Sequence, residues 1–482
     1  MRKRLPAALI KAVKDSLLLL VILYFTQSIW LVPLRLIQGE HWRVFPGRVV
    51  DIAACDGAVV VAGESEIWGF DRELRARRFK VDLARTWPGP PVQGMAAAKY
   101  WPEDGLLCLV LKRGRDPREA GWSVAVLDTP SGRLLWHVDL RTDPCQVELF
   151  RSPSGFVLFE LDPDDLRATW YDTEGRPVAV RRLFARSDRR RWYEERAWVF
   201  EDVGRSGFLV LEGRQALLLG YGGEEVGRCQ LPVPARFAAL LEDGRVLVCG
   251  PADGGIVLVW LGPGLEANQA VRLAHPSLRF VSPAGMVAAP GEVWVGAFGS
   301  DEVPIDNLLL AMRDEGRYEG NVVVDDMRTG KMCRIPLPAF LWYRLNEQGE
   351  VLGCYRAEGL ERVYRRQIPP PLGWLASSFG AVRSLSRRVQ AVDGFPGWEV
   401  DVSYSPFLTG GCSNLAYVDA SGRVVVGRRF TSTRLGPGRW VVSRGHYYRF
   451  QFFRFFSLVY HLELPSPLRD GSEASSPMWG MW

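Results

Sequence analysis

One hairpin is written into this chain again and again. The stretch SVAVLDTPSGRLLWHVDL, residues 123–140, alternates apolar and polar residues on both sides of a turn. Its centre returns as YDTEGRPV at Tyr171, VDDMRTGKM at Val324 and VDASGRVVV at Val418. In RLLWHVDL, Leu134, Trp136, Val138 and Leu140 fall on one face. Arg133, His137 and Asp139 fall on the other, and Leu135 breaks the pattern. Period two is the mark of a half-buried antiparallel strand. In DTPSG, Asp128 can accept backbone N–H bonds, Pro130 presets φ and Gly132 can take positive φ.

Turns of this kind fall at Asp71, Asp128, Asp172, Tyr221, Trp260, Asp325, Tyr364 and Asp419, and the spacing predicts one four-stranded unit per turn. A single twisted four-stranded sheet cannot bury both faces. A ring of such sheets can, and it leaves only short, protected edges. The expected fold is therefore all-β: a seven- or eight-bladed β-propeller over residues 45–464, preceded by one N-terminal transmembrane helix. No amphipathic helix of useful length follows residue 47, which argues against an α/β cofactor domain. YRFQFFRFFSLVYHLEL, residues 448–464, reads as one last strand, buried on both faces, that closes the ring near the first blade. Residues 465–482 read as a flexible tail.

The first forty residues differ from the rest. A short basic tail, 1–16, holds Arg2, Lys3, Arg4, Lys11 and Lys14. From Leu17 to Leu34 no residue is charged. Eighteen residues of helix rise about 27 Å, close to the hydrocarbon thickness of a bilayer. No small-residue cleavage site follows, and the first cysteine, Cys55, lies too far on for a lipid anchor. Residues 17–37 therefore read as a retained anchor rather than a cleaved leader or a core helix. The basic flank places the N-terminus inside and the propeller outside the bacterial cytoplasmic membrane.

A net charge of +5 over 482 residues, with both signs mixed throughout, argues against nucleic acid as a partner. The eight cysteines form no C-x-x-C pair, and Cys108, Cys249 and Cys354 sit inside apolar runs as small buried hydrophobes. One or two disulfides are compatible with an extracytoplasmic domain. The five histidines, at 41, 137, 275, 446 and 461, lack zinc-site spacing and read as surface or turn residues. No nucleophile elbow or phosphate loop occurs. No catalytic residue, metal ligand or cofactor site is assigned. Two acidic loops stand out: ELDPDDL with Asp162, Asp164 and Asp165, and GSDEVPIDN with Asp301 and Asp306. RSDRRRWYEERAW carries Arg189, Arg190, Arg191 and Trp192, residue types suited to an anion or a protein partner.

VAVLDTPSGRLLWHVDL resembles the blade repeat of pyrroloquinoline-quinone-type propellers: a strand, Asp-x-x-x-Gly, an apolar pair, Trp and a closing strand. The match covers about eighteen residues, and its echoes elsewhere lack the Trp. The repeat implies a propeller and is shared by redox enzymes and non-catalytic envelope scaffolds. The adjacent cysteine pair of some quinone dehydrogenases is missing here. The sequence thus points to a non-catalytic binding or scaffolding module with envelope proteins as partners. The alternatives are a carbohydrate- or lactone-type hydrolase with carboxylates at the central channel, and a sensory ectodomain.

Overall fold

The computed structural model describes residues 15–16 and 41–463. Within the second range it omits 56, 117–119, 141–145, 163–164, 186–196, 202–206, 290, 303–304, 306–320, 327–330, 337, 357–385, 392–396, 405–411, 420–423, 432–439, 444–445 and 453–455. Among the described residues, eight sheets have four antiparallel strands each, and one further hairpin stands alone. Seven blades are continuous in the chain: blade 1 is 49–82, blade 2 is 92–139, blade 3 is 146–185, blade 4 is 198–230, blade 5 is 237–273, blade 6 is 280–356 and blade 7 is 386–431. The eighth takes three strands from 440–463 and its fourth, His41–Pro46, from the start of the domain.

The first strand of each blade is the inner one. Val49–Cys55 packs beside Val92–Trp101, which packs beside Gln146–Ser152; Trp198–Glu201 meets Phe237–Leu240, which meets Phe280–Ala289, which meets Ser386–Ala391. Trp440–Ser443 of blade 8 returns to Val49–Cys55 of blade 1. Between blades 3 and 4, Gln146 Nε2 donates to Ala197 O at 2.8 Å, and Ala197 N donates back to Gln146 Oε1 at 3.2 Å. This arrangement of consecutive sheets is a propeller. Its core is a series of apolar layers between neighbouring blades, such as Phe150, Phe159 and Trp170 of blade 3 against Phe208 and Leu219 of blade 4.

The repeated turn joins the third and fourth strands. In blades 1, 3, 4, 5 and 6 it begins at Asp71, Asp172, Gly220, Gly262 and Asn346. Each of these residues accepts from the N–H three residues on and donates its own N–H to the carbonyl four residues on, or five residues on at Asp71, where the acceptor is Ala76 O. The residue three on has positive φ: Leu74 (57°), Gly175 (79°), Gly223 (88°), Leu265 (67°) and Gly349 (81°). This is a type I turn closed by a left-handed residue. Acidic or amide side chains hold it: Asp172 Oδ1 accepts from Glu174 N and Arg176 N, both at 2.9 Å. Leu74 and Leu265 take the left-handed position without being glycine, and both are buried.

A bulge follows the turn in blades 1 to 7. The pairing of third and fourth strands skips one residue each time: Arg78, Leu135, Val178, Val226, Asn268, Leu352 and Val425. Leu135, the residue that broke the alternation, is 40% exposed, and Val178 is 70% exposed. A bulge adds local twist, which the outer strand of a blade needs.

Four expectations are corrected. Residues 448–464 are not one strand: His446–Phe452 and Phe456–Glu463 pair with each other as successive strands of blade 8. The turn at Asp325 does not belong to a blade. It lies in the separate hairpin Asn321–Asp326 with Lys331–Pro336, inserted between the second and third strands of blade 6. Cys354 is exposed on an outer strand, whereas Cys108 and Cys249 are buried as expected. His461 is 4% exposed inside blade 8, not a surface residue. The turn expected at Tyr364, residues 17–37 and the tail 465–482 lie outside the described residues. Among those described, the one stretch of α-helix between blades is Leu83–Thr86, and no helix is long and apolar enough to cross a membrane.

Candidate functional site

Antiparallel strand order sends successive connectors to opposite ends of the propeller. Connectors between strands one and two, and between three and four, fall at one end. Those between two and three, and from blade to blade, fall at the other. The two ends are unequal. At the first, the short end, no connector exceeds the six residues 71–76. At the second, the long end, the described strand ends are separated by the stretches 83–91, 114–120, 186–197, 301–338, 357–385, 405–411 and 432–439 of the sequence. Tight turns at the short end are fixed by the repeat itself; the long end is free to vary.

Blade 3 brings two of the sequence candidates to the long end. Asp162 and Asp165 flank the turn between its second and third strands; Asp164 lies outside the described residues. Asp162 Oδ1 accepts from Asp165 N at 3.0 Å, and Asp162 N donates to Asp165 O at 3.0 Å. Asp165 reaches Arg182 Nε at 3.0 Å and Arg167 Nη2 at 3.5 Å. These carboxylates therefore shape the turn and pair with the neighbouring strands. Arg189, Arg190, Arg191 and Trp192 lie outside the described residues. Ala185, the last described residue before them, is in register with Asp165.

A third carboxylate in this cluster, Glu160, carries no signal in the sequence. It is 7% exposed and in register with Arg167. Burial pushes its carboxyl up, Arg167 pulls it down, and Asp162 and Asp165 push it up again. Tyr171, on the same face, is pushed up to about 12, by burial first and then by the charge of Glu160. The sign of the pH effect follows. A carboxyl with a raised pKa in the fold binds its proton more tightly folded than unfolded, so its stabilising contribution is complete below the ordinary glutamate range and is lost as pH rises through the folded value. Glu160→Gln is expected to raise the melting temperature at pH 7 and change it little at pH 4. Thermal melts of both proteins at the two pH values check this; an equal shift at both would rule out charge burial as the cause.

Asp301 belongs to a different place. A cleft of about 370 Å³ opens at the long end between blades 5 and 6, lined by His275, Ser277, Asp301, Glu302 and Arg356 among others. Asp301 Oδ1 accepts from Arg279 N at 3.1 Å, and Glu302 N donates to Ser300 Oγ at 3.3 Å. Ser277 N donates to His275 Nδ1 at 3.3 Å, which leaves the proton of a neutral ring on Nε2. Ser277 Oγ lies 3.1 Å from the same nitrogen. A serine and a histidine two residues apart in one turn make a local turn closure rather than a nucleophile and base held from separate elements. Asp306 lies outside the described residues. The acidic loops are thus on different blades, and the structure does not bring Asp301 to Asp162 and Asp165.

The central channel is where a hydrolase would gather carboxylates. The described inner strands carry Asp51, Glu148 and Glu201. Asp51, 6% exposed, accepts from Ile52 N at 2.9 Å and from Met95 N at 3.4 Å, tying blade 1 to blade 2. Glu148 Oε1 accepts from Gln146 Nε2 at 3.2 Å. Among the described residues no three His, Cys, Asp or Glu side chains converge on a metal position. Cys55, Cys108, Cys229, Cys249 and Cys354, the cysteines whose side chains are described, form no disulfide. Burial pushes Cys108 and Cys249 up, away from thiolate chemistry.

No known protein family and no curated protein matches the chain. Solved structures do. The WD40 domain of SCAP from fission yeast aligns over 89% of this chain and 99% of its own, with 9% identity and a TM-score of 0.34. Puromycin hydrolase aligns over 76% of this chain and 52% of its own, with 15% identity and a TM-score of 0.36. The dihydro-heme d1 dehydrogenase NirN aligns over 80% of this chain and 66% of its own, with 13% identity and a TM-score of 0.36. All three scores are below 0.5, so the propeller assignment rests on strand order and on the contacts between inner strands.

Proposed function

We propose that this protein is a non-catalytic binding or scaffolding propeller of the bacterial cell envelope, held by residues 17–37 on the outer side of the cytoplasmic membrane, with its long end as the binding face. The observation that carries this is the distribution of connectors. Among the described strands, every gap of more than six residues opens between strand ends at one end of the ring, and every gap at the other end is six residues or shorter. Length beyond what a turn needs is tolerated where sequence is free to vary, and rigid scaffolds present their binding loops in this way. The blade repeat resembles that of pyrroloquinoline-quinone-type propellers at the level of the fold, and that repeat also builds non-catalytic propellers. Arg189, Arg190, Arg191 and Trp192 are the residues assigned to partner contact, and Asp162 and Asp165 shape the end of blade 3.

Chemical cross-linking in intact cells expressing the full-length protein tests this. The expected result is reproducible capture of one defined set of envelope proteins. That capture should fall at least about tenfold when Arg189, Arg190 and Arg191 are replaced together by Ala, the loss of roughly 1.4 kcal/mol or more that truncating an interface hot spot brings. Capture of nothing above the level of a mock-expressing strain would overturn the scaffold reading.

A further inference from the structure

The direction of two strands fixes which end of the propeller meets the lipid. His41–Pro46 is the outermost strand of blade 8 and pairs antiparallel with Phe456–Glu463, His41 opposite His461 and Pro46 opposite Phe456. Pro46 leads through Gly47 and Arg48 to the start of blade 1, at the long end: Val49 N donates to Ser457 Oγ at 3.0 Å, and Ser457 Oγ donates to Gly47 O at 2.9 Å. His41 and Glu463 therefore both lie at the short end, where His446 pairs with Glu463. Six residues, 35–40, separate the uncharged run Leu17–Leu34 from His41.

We infer that the short end faces the membrane surface and the long end faces away from it, an inference that rests on residues 17–37 being the anchor. Seven Cα steps from Leu34 to His41 reach about 25 Å when fully extended. An inner strand of seven residues is about 23 Å tall. Only a tether stretched to full extension matches the height of the propeller, so laying the long end on the lipid would cost the tether all of its conformational freedom, whereas the short end reaches the lipid without stretching it. The turns of the short end carry both signs, as in Arg72 and Glu73, Glu103 and Asp104, Glu174 and Arg176, and Asp243 and Arg245. Such a surface has no net basic patch to draw it to anionic lipid. The short tether sets the orientation, and the orientation is independent of lipid charge. The long connectors are thereby presented to partners at the full height of the propeller.

The test uses the full-length protein reconstituted into phosphatidylcholine vesicles that carry a headgroup-attached acceptor dye. A donor dye is attached through an azide-bearing residue placed either at Ser154 or at Asp253. Both positions are exposed in two-residue turns, Ser154 at the short end and Asp253 at the long end. Energy transfer to the lipid should be at least about twofold greater from position 154, and unchanged when phosphatidylglycerol replaces a third of the lipid. Equal transfer from the two positions, as for a disc standing on its rim, or greater transfer from position 253, would overturn the inference. Flotation of the same samples separates the two readings. Failure to float with vesicles refutes the anchor itself, whereas flotation with the wrong transfer ratio refutes the orientation alone.

Discussion

Replacing Trp136 with alanine is expected to destabilise the propeller by about 3–5 kcal/mol, the usual cost of emptying a large aromatic from a core. That is a large share of the roughly 5–15 kcal/mol by which a folded domain is stable. Trp136 is 7% exposed and joins blade 2 to blade 3. Its ring stacks on Tyr171 at 5.7 Å and meets Phe156 edge-on at 5.5 Å. It also covers Gly175, the left-handed residue of the next blade's turn, where a Cβ would lie 2.5 Å from the ring. The indole N–H has no hydrogen-bond partner, so Trp136→Phe keeps most of the packing and should cost less than about 1.5 kcal/mol. Gly175→Ala is penalised twice, by its φ of +79° and by the ring. In Trp136→Ala the ring is gone, so the two substitutions together should cost less than the sum of each alone. Chemical denaturation of the four proteins measures this. Strict additivity would mean that ring and turn do not touch.

The same contact explains why the repeat was only partly legible. In blade 2 the ring that covers the next turn comes from the fourth strand, as Trp136. In blades 3 and 5 it comes from the third strand. Trp170 lies against Gly223 and donates through Nε1 to Tyr221 O at 2.9 Å, and Trp260 lies against Gly349. One structural task is thus met from two sequence positions, and a search for Trp at a fixed offset finds it once. The turn chemistry was more visible, because Asp71 and Asp172 accept local backbone N–H groups and Asp128 accepts from the Ser131 hydroxyl. It was less visible where Gly220 or Gly262 opens the turn and where Leu74 or Leu265 stands in for glycine. The hairpin at Asp325 has the right local chemistry and the wrong place, since nothing within nine residues says which hairpins join the ring.

The candidate site was legible in part for a related reason. Asp162 and Asp165 are recognisable as turn residues, and the structure uses them in that way. Glu160 is one acid among 55 Asp and Glu until the register of two strands sets it beside Arg167 under the wall of blade 2. Its burial is a tertiary fact with no local mark. The inequality of the two ends is likewise invisible until strands are bounded, because a long connector is significant only once its end of the ring is known.

Removing His41–Pro46 is expected to be the most damaging change of all. Starting the chain at Gly47 takes away the fourth strand of blade 8. It leaves the edge of Phe456–Glu463 open, and with it the ladder that runs from His461 to Phe456. An open edge beside buried Val459 and Tyr460 is a template for pairing with another chain. Phe45, 2% exposed, is lost from the layer it shares with Trp68 and Phe70 of blade 1, a loss of about 3–5 kcal/mol by itself. The strand also pairs the N-terminal part of the domain with its last strand, so its removal unlinks blade 8 from that part of the chain and opens the ring where the two meet. The truncated protein should aggregate at concentrations where the longer one is monodisperse in detergent, and its thermal transition should broaden and fall. Adding the peptide HWRVFP in excess should restore part of the transition, because the missing strand is bound by pairing alone. Phe45→Ala isolates the packing from the pairing: it should lower the transition and leave the protein monodisperse. If the truncated protein melts like the longer one, the closure of the ring does not depend on this strand, and the three remaining strands of blade 8 must hold blade 1 through Ser457 and the contacts of Trp440–Ser443 alone.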